Sequence, residues 1–331
     1  MRKAKLLLAP IIALTLSSCA TGVHHSIEEY FVKSLPYHDG FRILQLTDIH
    51  LGDKDYQDAH YAFMDYTIKH ANADMIVVTG DLFTLADKET ARNMCSFFDS
   101  YHLPWTVIFG NHDEQCMFSI DWLTNLLNNY SENCLFKDIQ DDDVFGNCNF
   151  ALNLTEGTTV KKQLIFMDSN RYNFNGYFGF DYFKADQIEW YKNLVNYTTS
   201  TNGGLIKSLM FYHIPLPEID NAWEERNNGE PGNEYITGEK KEASCPPKYN
   251  SGFFKVIDEM DSTYGMFFGH DHVNDFIVKY HDIYFGYGIK STDRVYFDDT
   301  LLGGRVIVMH DDTTLEFEDI RATYKEVVGN E

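Results

Sequence analysis

Five short stretches of the sequence place aspartate, histidine or asparagine just past an apolar run. They are Asp48-Ile49-His50 after FRILQLT, Gly80-Asp81 after MIVVT, Gly110-Asn111-His112 after WTVIF, His213 after SLMFY, and Gly269-His270-Asp271-His272 after GMFF. Imidazole and carboxylate together suit zinc, iron, manganese or nickel better than calcium, and the asparagine amide oxygen adds a neutral ligand. The residue types therefore indicate a transition-metal site built from distant parts of the chain.

The number and spacing of these side chains indicate two metal ions. The candidate ligands are Asp48, His50, Asp81, Asn111, His213, His270 and His272. Seven ligands exceed what one tetrahedral or octahedral ion needs, so the count fits two ions that share a bridging carboxylate. Asp48 and His50 are two residues apart, as are His270 and His272, and side chains two apart on an extended chain point the same way. Glycine directly before the ligand in three of the stretches lets the backbone turn sharply and approach closely.

Each motif taken alone has a plainer explanation. In GNHDEQ, residues 110–115, Gly-Asn is good turn chemistry, so a polar turn explains this stretch about as well as a metal site does. An Asp-His pair after a strand, or the single His213, is more often structural. What favours the metal site is that all five stretches occur in the same chain, each at the end of a predicted strand.

The elements that must position these residues follow an α/β pattern. Apolar β-prone runs occur at residues 41–46, 75–79, 105–109, 149–154, 163–167, 208–212, 265–269, 275–280 and 304–309. Helical spacing of apolar residues separates the early runs, over residues 55–71, 88–101 and 184–198. This alternation predicts an α/β domain, and the excess of strands in the second half favours a mixed sheet or two stacked sheets. Strand carboxyl ends meet at one edge of such a sheet, where ligands bind.

The N-terminus predicts export and a lipid anchor. A basic MRKAK, an apolar LLLAPIIALTL and the ending LSSC together resemble a bacterial lipobox. We expect residues 1–18 to be a signal peptide, and Cys19 to be lipidated and to hold the protein on the periplasmic or cell-surface face of a bacterial membrane. The alternative is an ordinary signal peptide with a nearby cysteine.

The mature chain is expected to consist of one domain behind a short tether. Residues 19–40 are predicted to form a polar tether, and residues 41–331 the folded domain. Residues 217–247 contain many turn residues and no clear period, so they are expected to form a long active-site loop. Beyond Cys19 the chain has five more cysteines, an odd number without CxxC spacing, which predicts mostly buried thiols with at most one disulfide.

The charge of the chain restricts its partners. It has 50 acidic and 27 basic residues among 331, a formal net charge of −23. Such a surface repels nucleic-acid backbones, so binding of DNA or RNA through charge is not expected. It also repels phosphate esters, so phosphate chemistry would need a local positive centre. No cluster of lysine or arginine supplies one, whereas bound metal ions would.

The ordered set D-x-H, G-D, G-N-H, H and G-H-x-H resembles the calcineurin-like metallophosphoesterases from Phe41 to about Asp275. MDSNRY (167–172), DQIEWYKNL (186–194), HIPLPE (213–218) and GHDHVNDF (269–276) are similar to the purple acid phosphatase-related branch, which includes bacterial and fungal phosphatases. The resemblance implies a four-layer αββα sandwich of two mixed β-sheets. It also implies a dinuclear metal site at the carboxyl ends of the strands.

The resemblance also assigns the ligands. One metal would be held by Asp48, His50, Asp81 and His272. The other would be held by Asp81, Asn111, His213 and His270, with Asp81 bridging. The two ions would be divalent manganese, iron or zinc, and metal coordination lowers the pKa of water to about 7.

The activity implied is a metal-dependent phosphoesterase that hydrolyses phosphate monoesters by attack of a metal-bridging hydroxide. His112 would contact the phosphoryl group or protonate the leaving oxygen. The substrate would be a phosphorylated small molecule or an exported phosphoester. The alternatives are a phosphodiesterase or nucleotide hydrolase on the same site, or a surface lipoprotein that binds metal or glycan without catalysis.

One position departs from the family pattern. Three residues past the G-D aspartate, purple acid phosphatases have a tyrosine that binds Fe(III) and gives the colour. Several other members have an aspartate there that orients the catalytic histidine. This chain has Thr84, which argues against a purple Fe(III) centre and leaves open which residue orients His112.

Overall fold

The structure is a computed structural model that describes residues 25–52, 57–173 and 179–329. Its strands are β1 (Leu35–Pro36), β2 (Phe41–Leu46), β3 (Met75–Thr79), β4 (Trp105–Ile108), β5 (Phe150–Glu156), β6 (Thr159–Phe166), β7 (Tyr172–Asn173), β8 (Gly179–Phe180), β9 (Ser208–Phe211), β10 (Glu234–Thr237), β11 (Thr263–Phe268), β12 (Ile277–Tyr280), β13 (Ile283–Tyr287), β14 (Gly303–Met309) and β15 (Leu315–Arg321). Its α-helices are α1 (Gln57–Ala71), α2 (Lys88–Asp99), α3 (Ile120–Asn128), α4 (Ala185–Asn202), α5 (Glu218–Glu225), α6 (Phe253–Met260) and α7 (Tyr324–Val327). Short 3-10 helices span Ile27–Tyr30, Asp113–Gln115 and Asp299–Leu301.

The strands form two large mixed sheets and one small ribbon. The five-stranded sheet has the order β15-β14-β2-β3-β4, in which β2, β3 and β4 are parallel. The eight-stranded sheet has the order β1-β5-β6-β9-β11-β13-β12-β10, in which β6, β9, β11 and β13 are parallel. The pair β7 and β8 forms the ribbon. The carboxyl ends of the parallel strands carry the residues that the sequence singles out.

The two sheets pack face to face, and helices cover their outer faces. Phe267 of β11 lies against Phe317 of β15, with ring centroids 6.0 Å apart. Helix α1 packs on β14 and β15, while α6 packs on β11 and contacts α4 through Phe253 and Tyr191. All five residues of β3 are buried, as expected for a parallel strand covered on both faces. The predicted four-layer α/β sandwich is therefore confirmed.

Most of the elements predicted from sequence are present within a few residues. The nine apolar runs all form strands, and the three helical patterns become α1, α2 and α4. The elements that were not foreseen are strands β1, β7, β8, β10, β13 and β15 and helices α3, α5, α6 and α7. Exposed charged residues alternate along LEFEDIR of β15, which lies at an edge of its sheet and buries little of its own length.

Two predicted segments differ from the structure. The described part of the expected tether packs onto the domain, since β1 pairs with β5 and Tyr30 is 4% exposed. Tyr30 and Phe31 of this segment pack against Trp190 and Tyr197 of α4. The expected loop 217–247 contains α5 and the edge strand β10. The predicted signal peptide and Cys19 lie outside the described residues.

The described cysteines are all free thiols, so the structure forms no disulfide among them. Cys95, Cys134 and Cys148 are buried, Cys116 is partly buried and Cys245 is exposed. Among the helices in the described ranges, none combines the length and apolarity needed to cross a bilayer.

Arg305 of β14 connects the two sheets through hydrogen bonds inside the sandwich. Its side chain is fully buried, and Nη1 donates to the carbonyl oxygens of Asp275 and Tyr287, each at 2.7 Å. Its Nε and Nη2 donate to the carboxylate of Asp319 on β15, at 2.7 and 3.1 Å. The charge is thus compensated by acceptors from both sheets, which a buried guanidinium requires.

We expect Arg305→Leu to lower the free energy of unfolding by about 3–5 kcal/mol, because it leaves buried acceptors unpaired. Urea denaturation measures the change. Lys69→Met is the control, since Lys69 pairs with Asp65 on the surface and is 65% exposed. It should cost at most about 0.5 kcal/mol. Equal losses in the two variants would contradict the structural role of Arg305.

Candidate metal centre

The five sequence stretches meet at one place between the sheets. Three of them follow β2, β3 and β4 of the five-stranded sheet, and two follow β9 and β11 of the eight-stranded sheet. All seven candidate ligands are at least nine-tenths buried: Asp48, His50, Asp81, Asn111, His213, His270 and His272. The predicted convergence of strand ends is therefore present, but it involves two facing sheets rather than one.

The first group consists of Asp48, His50, Asp81 and His272. One nitrogen or oxygen atom from each of these side chains lies within 4.8 Å of every other, close enough to hold one metal ion. His50 Nε2 is 3.1 Å from His272 Nε2 and 3.7 Å from Asp81 Oδ2. His272 Nε2 is 3.4 Å from Asp48 Oδ1.

A second group lies on the other side of Asp81. Asp81 Oδ1 is 3.4 Å from His213 Nε2, and the rings of His213 and His270 have centroids 5.3 Å apart. Asn111 is buried in the loop after β4. Asp81 thus presents one carboxylate oxygen to His50 and the other to His213, as a bridging ligand would.

Several donor atoms in this cluster lack hydrogen bonds. Buried atoms with no hydrogen-bond partner among the described residues include Asp48 Oδ1, Asn111 Oδ1, His213 Nε2 and His270 Nδ1. An unsatisfied buried polar atom costs about 1–3 kcal/mol, so four of them in one cluster indicate that bound cations complete their coordination. Imidazole nitrogens with carboxylate and amide oxygens are a donor set that fits divalent transition-metal ions.

Neighbouring groups turn the imidazoles toward the centre. His213 Nδ1–H donates to the carbonyl of Thr79 at 2.7 Å, and His272 Nδ1–H donates to the carbonyl of Tyr296 at 2.9 Å. Each bond holds the proton on Nδ1 and leaves Nε2 free as a ligand atom. The ring of Tyr296 also stacks on His272, with centroids 4.2 Å apart. No motif in the sequence marks Tyr296.

Thr84, the departure from the family pattern, supports His50. The Thr84 hydroxyl oxygen lies 2.8 Å from His50 Nδ1 and accepts a hydrogen bond from its N–H. This leaves His50 Nε2 free to bind a metal ion. This position therefore acts on a metal-ligand candidate rather than on His112. The sequence showed that Thr84 was unusual but not which imidazole it would contact.

The backbone of the ligand loops is strained. Asp48, His50, Asp81 and His270 have φ values of 52°, 46°, 50° and 82°, in the left-handed region that such residues seldom adopt. Asp48 and His50 therefore do not lie on an extended chain. Their side chains do reach the same site, but alternation along a strand is not the reason, and that part of the prediction was wrong. Strain of this kind clusters at functional sites, where surrounding structure enforces it.

Two glycines allow the loops to approach the carboxylates. A Cβ atom on Gly110 would lie 2.2 Å from Asp81 Oδ1, and one on Gly269 would lie 2.5 Å from Asp48 Oδ2. Neither distance leaves room for a side chain. The predicted role of glycine in close approach is confirmed at these positions.

The buried charged groups of the cluster shift one another's pKa values. Burial raises the pKa of Asp81, but the His213 imidazolium and other nearby imidazoles outweigh it and hold that pKa well below its usual value. Burial lowers the pKa of His213, yet the Asp81 and Asp48 carboxylates raise it to about 10. Burial and the charge of His213 lower the pKa of His270 to about 3. The same two carboxylates also face the buried Lys290 ammonium, whose Nζ donates to the Asp48 carbonyl oxygen at 2.9 Å.

His112 lies at the rim of the same cluster. Its backbone N–H donates to Asp81 Oδ1 at 2.9 Å, and its ring centroid is 5.3 Å from that of His50. The side chain is partly exposed, unlike those of the candidate ligands. Its neighbour Asp113 is buried and accepts from the backbone N–H groups of Phe83 and Gly110, at 3.0 and 2.7 Å. Asp113 therefore ties together the loops that carry Asp81 and Asn111.

Two groups of nitrogen and oxygen donors that share one aspartate, set between facing sheets of an αββα sandwich, define the class of dinuclear metallohydrolases. Residues 41–283 match the family described as Calcineurin-like phosphoesterase, and the chain belongs to this family. The family predicted from the sequence motifs is confirmed.

Individual relatives agree with this assignment. Probable inactive purple acid phosphatase 14 of Arabidopsis thaliana is 28% identical, over 84% of this chain and 79% of its own length. Phosphatase DCR2 of Saccharomyces cerevisiae is 27% identical, over 72% of this chain and 45% of its own length. A dimetal phosphatase from Danio rerio superposes with a TM-score of 0.53, over 87% of this chain and 100% of that one. At 13% identity, the last comparison shows the fold alone.

We expect Thr84→Val to weaken metal binding, because His50 Nδ1 loses the oxygen that accepts its proton. Losing such a supporting partner typically costs about 10- to 100-fold in metal affinity. Thr84→Ser keeps the hydroxyl and is the matched control, with an affinity close to that of the unchanged protein. Competition with a chromophoric chelator measures the dissociation constants. Equal affinities for the valine and serine variants would exclude the proposed support of His50.

Proposed function

We propose that this protein is a phosphoesterase that hydrolyses phosphate monoesters with two divalent transition-metal ions. The observation that carries the proposal is the position of Asp81, whose two carboxylate oxygens face His50 and His213 while one also accepts from the backbone of His112. A single residue thus connects both halves of the metal centre with the candidate catalytic histidine.

The ligand assignment is part of this proposal. Asp48, His50, Asp81 and His272 would hold one ion, and Asp81, Asn111, His213 and His270 the other. The ions, manganese, iron or zinc, would supply Lewis acidity that lowers the pKa of water and neutralises phosphoryl charge. The unpaired donor atoms of the cluster support cation binding at both positions.

His112 carries the proposed acid role. It is not among the candidate ligands, and its partly exposed ring lies beside the ring of His50. From there it contacts the phosphoryl group or donates a proton to the leaving oxygen. The hydrogen bond from its backbone N–H to Asp81 Oδ1 holds His112 beside the metal centre.

A cavity of about 490 Å³ borders Gly110, the residue before Asn111, and is lined by neither His112 nor the candidate ligands; we assign it to the part of the substrate beyond the phosphoryl group. Acidic side chains that line it include Glu114, Asp121, Asp141, Asp142, Asp168 and Asp181, together with Arg171. Arg171 forms an ion pair with Glu114. This lining disfavours a leaving group with further negative charge and supports a small phosphorylated molecule over a polyanion.

The alternatives remain distinct from this proposal. The Arabidopsis relative is named as probable inactive, and a protein that only bound metal or glycan would not need His112. The ligand types and His112 of this chain are all present and close together, which supports catalysis. A phosphodiesterase or nucleotide hydrolase would use the same centre, so p-nitrophenyl phosphate compared with its bis-ester separates these activities.

We expect His112→Ala to lower the turnover rate by about 10²–10⁴-fold if His112 acts as a general acid. The loss should be larger for alkyl phosphates than for p-nitrophenyl phosphate, because p-nitrophenolate leaves without much protonation. Steady-state kinetics on both esters measures the difference. Metal content by elemental analysis should stay unchanged, since the candidate ligands remain.

Removal of the metal is the companion measurement. Chelation should abolish activity, and added manganese, iron or zinc should restore it. Full activity of His112→Ala would remove its catalytic role, and activity that survives complete metal removal would contradict the proposal as a whole. Hydrolysis of the bis-ester in preference to the monoester would favour the phosphodiesterase alternative.

Lipid anchoring outside the cytoplasm is a further part of the proposal, and it is supported by the N-terminal sequence alone. We expect Cys19→Ala to leave the protein unprocessed or released from membranes, because the lipid would be attached to that thiol. Membrane fractionation and intact mass measure the outcome. An unlipidated N-terminus at another residue in the unchanged protein would contradict the anchor.

A further inference from the structure

Gln115 completes the GNHDEQ stretch and contacts His112 twice. The 3-10 helix Asp113–Gln115 brings the backbone N–H of Gln115 to the carbonyl of His112, at 2.9 Å. The Gln115 side chain also turns back, so that its Oε1 lies 2.9 Å from His112 Nδ1. Residues i and i+3 eclipse each other in this kind of helix, so a single turn produces both contacts.

These contacts determine which nitrogen of His112 can act on a substrate. The Nδ1–H donates to Gln115 Oε1, and the backbone N–H of His112 donates to Asp81 Oδ1 at 2.9 Å. With Nδ1 engaged, Nε2 is the nitrogen available to a phosphoryl group or a leaving oxygen. The ring is thereby fixed in both tautomer and direction.

Other nearby candidates for this task are engaged elsewhere. The Thr84 hydroxyl contacts His50, and both carboxylate oxygens of Asp113 accept from backbone N–H groups. Glu114 forms its ion pair with Arg171. Among the hydrogen bonds of the described residues, the partner of His112 Nδ1 is therefore the neutral amide of Gln115.

We propose that Gln115 is a positioning residue that orients His112 through Nδ1 and so presents Nε2 to the substrate. The proposal rests on the proposed function, because it assigns Gln115 a task in the same reaction. With Thr84 at the family's usual position, the residue that orients His112 was left open. In this proposal that residue is Gln115, three positions after His112, instead of the residue three positions after Asp81.

The tautomer of His112 can be measured without any activity. In zinc-loaded protein labelled with ¹⁵N-histidine, where the metal is diamagnetic, the ring signals that disappear in His112→Ala belong to His112. We expect the neutral ring to carry its proton on Nδ1 in the unchanged protein and to shift toward the Nε2–H tautomer in Gln115→Met. Methionine has a similar length but no amide acceptor. A tautomer that Gln115→Met leaves unchanged would overturn the proposal, even if the protein hydrolyses no phosphoester.

Kinetics test whether the orientation matters for the reaction. Gln115→Met should lower kcat for an alkyl phosphate about three- to tenfold, the worth of one hydrogen bond, with KM unchanged. Gln115→Glu keeps an acceptor oxygen, so its kcat should lie much closer to that of the unchanged protein than to that of Gln115→Met. Met117→Leu, at a residue that is 76% exposed in the same segment, is the control and should match the unchanged protein.

The double variant separates positioning from an independent effect. If Gln115 acts through His112, adding Gln115→Met to His112→Ala should cause no further loss of kcat. A multiplicative loss would overturn the proposal. If the unchanged, metal-loaded protein hydrolyses no phosphoester at all, the proposed function fails, and the tautomer measurement still decides whether Gln115 orients His112.

Discussion

The burial of the Asp81 carboxylate is the constraint on which the rest of the centre depends. Asp81 is 1% exposed, and an isolated carboxylate out of water costs several kcal/mol. The backbone N–H of His112 donates to one of its oxygens, and the Nε2 atoms of His50 and His213 lie 3.7 and 3.4 Å from its two oxygens, where a shared cation would compensate the charge. Each belongs to a different loop, so the loops after several strands must meet at this carboxylate for the fold to be stable.

The local strain of the ligand loops is a consequence of that meeting. Left-handed φ values at Asp48, Asp81 and His270 bring side chains from two sheets to one point. Gly110 leaves the space that a side chain would otherwise take from Asp81. Asp113 ties the neighbouring loops together through two backbone hydrogen bonds. The rigid sandwich, closed internally by Arg305, is what can hold such loops in place.

The metal centre has to bind a phosphate ester although the chain as a whole is strongly negative. A net charge of −23 repels phosphate esters, so a substrate can approach only where the negative charge is locally cancelled. The buried donor atoms can bind cations that cancel this charge locally. Neutral groups orient two of the imidazoles: the Thr84 hydroxyl contacts His50, and the Gln115 amide contacts His112. Four histidines of this centre, His50, His112, His213 and His272, are therefore oriented by neutral side chains or backbone carbonyls.

The sequence by itself determined the candidate ligands and an α/β domain, because apolar runs that end in Asp, His or Asn are local patterns, and the order of these motifs gave the resemblance to a family with the αββα fold. Only the tertiary structure decided that β9 and β11 face β2 and β3 across the sandwich. Likewise, it alone paired Thr84 with His50, placed Tyr296 on His272 and packed β1 onto β5. These contacts join residues far apart in the chain, and their partners follow from sheet order and strained loop geometry, which no local period encodes.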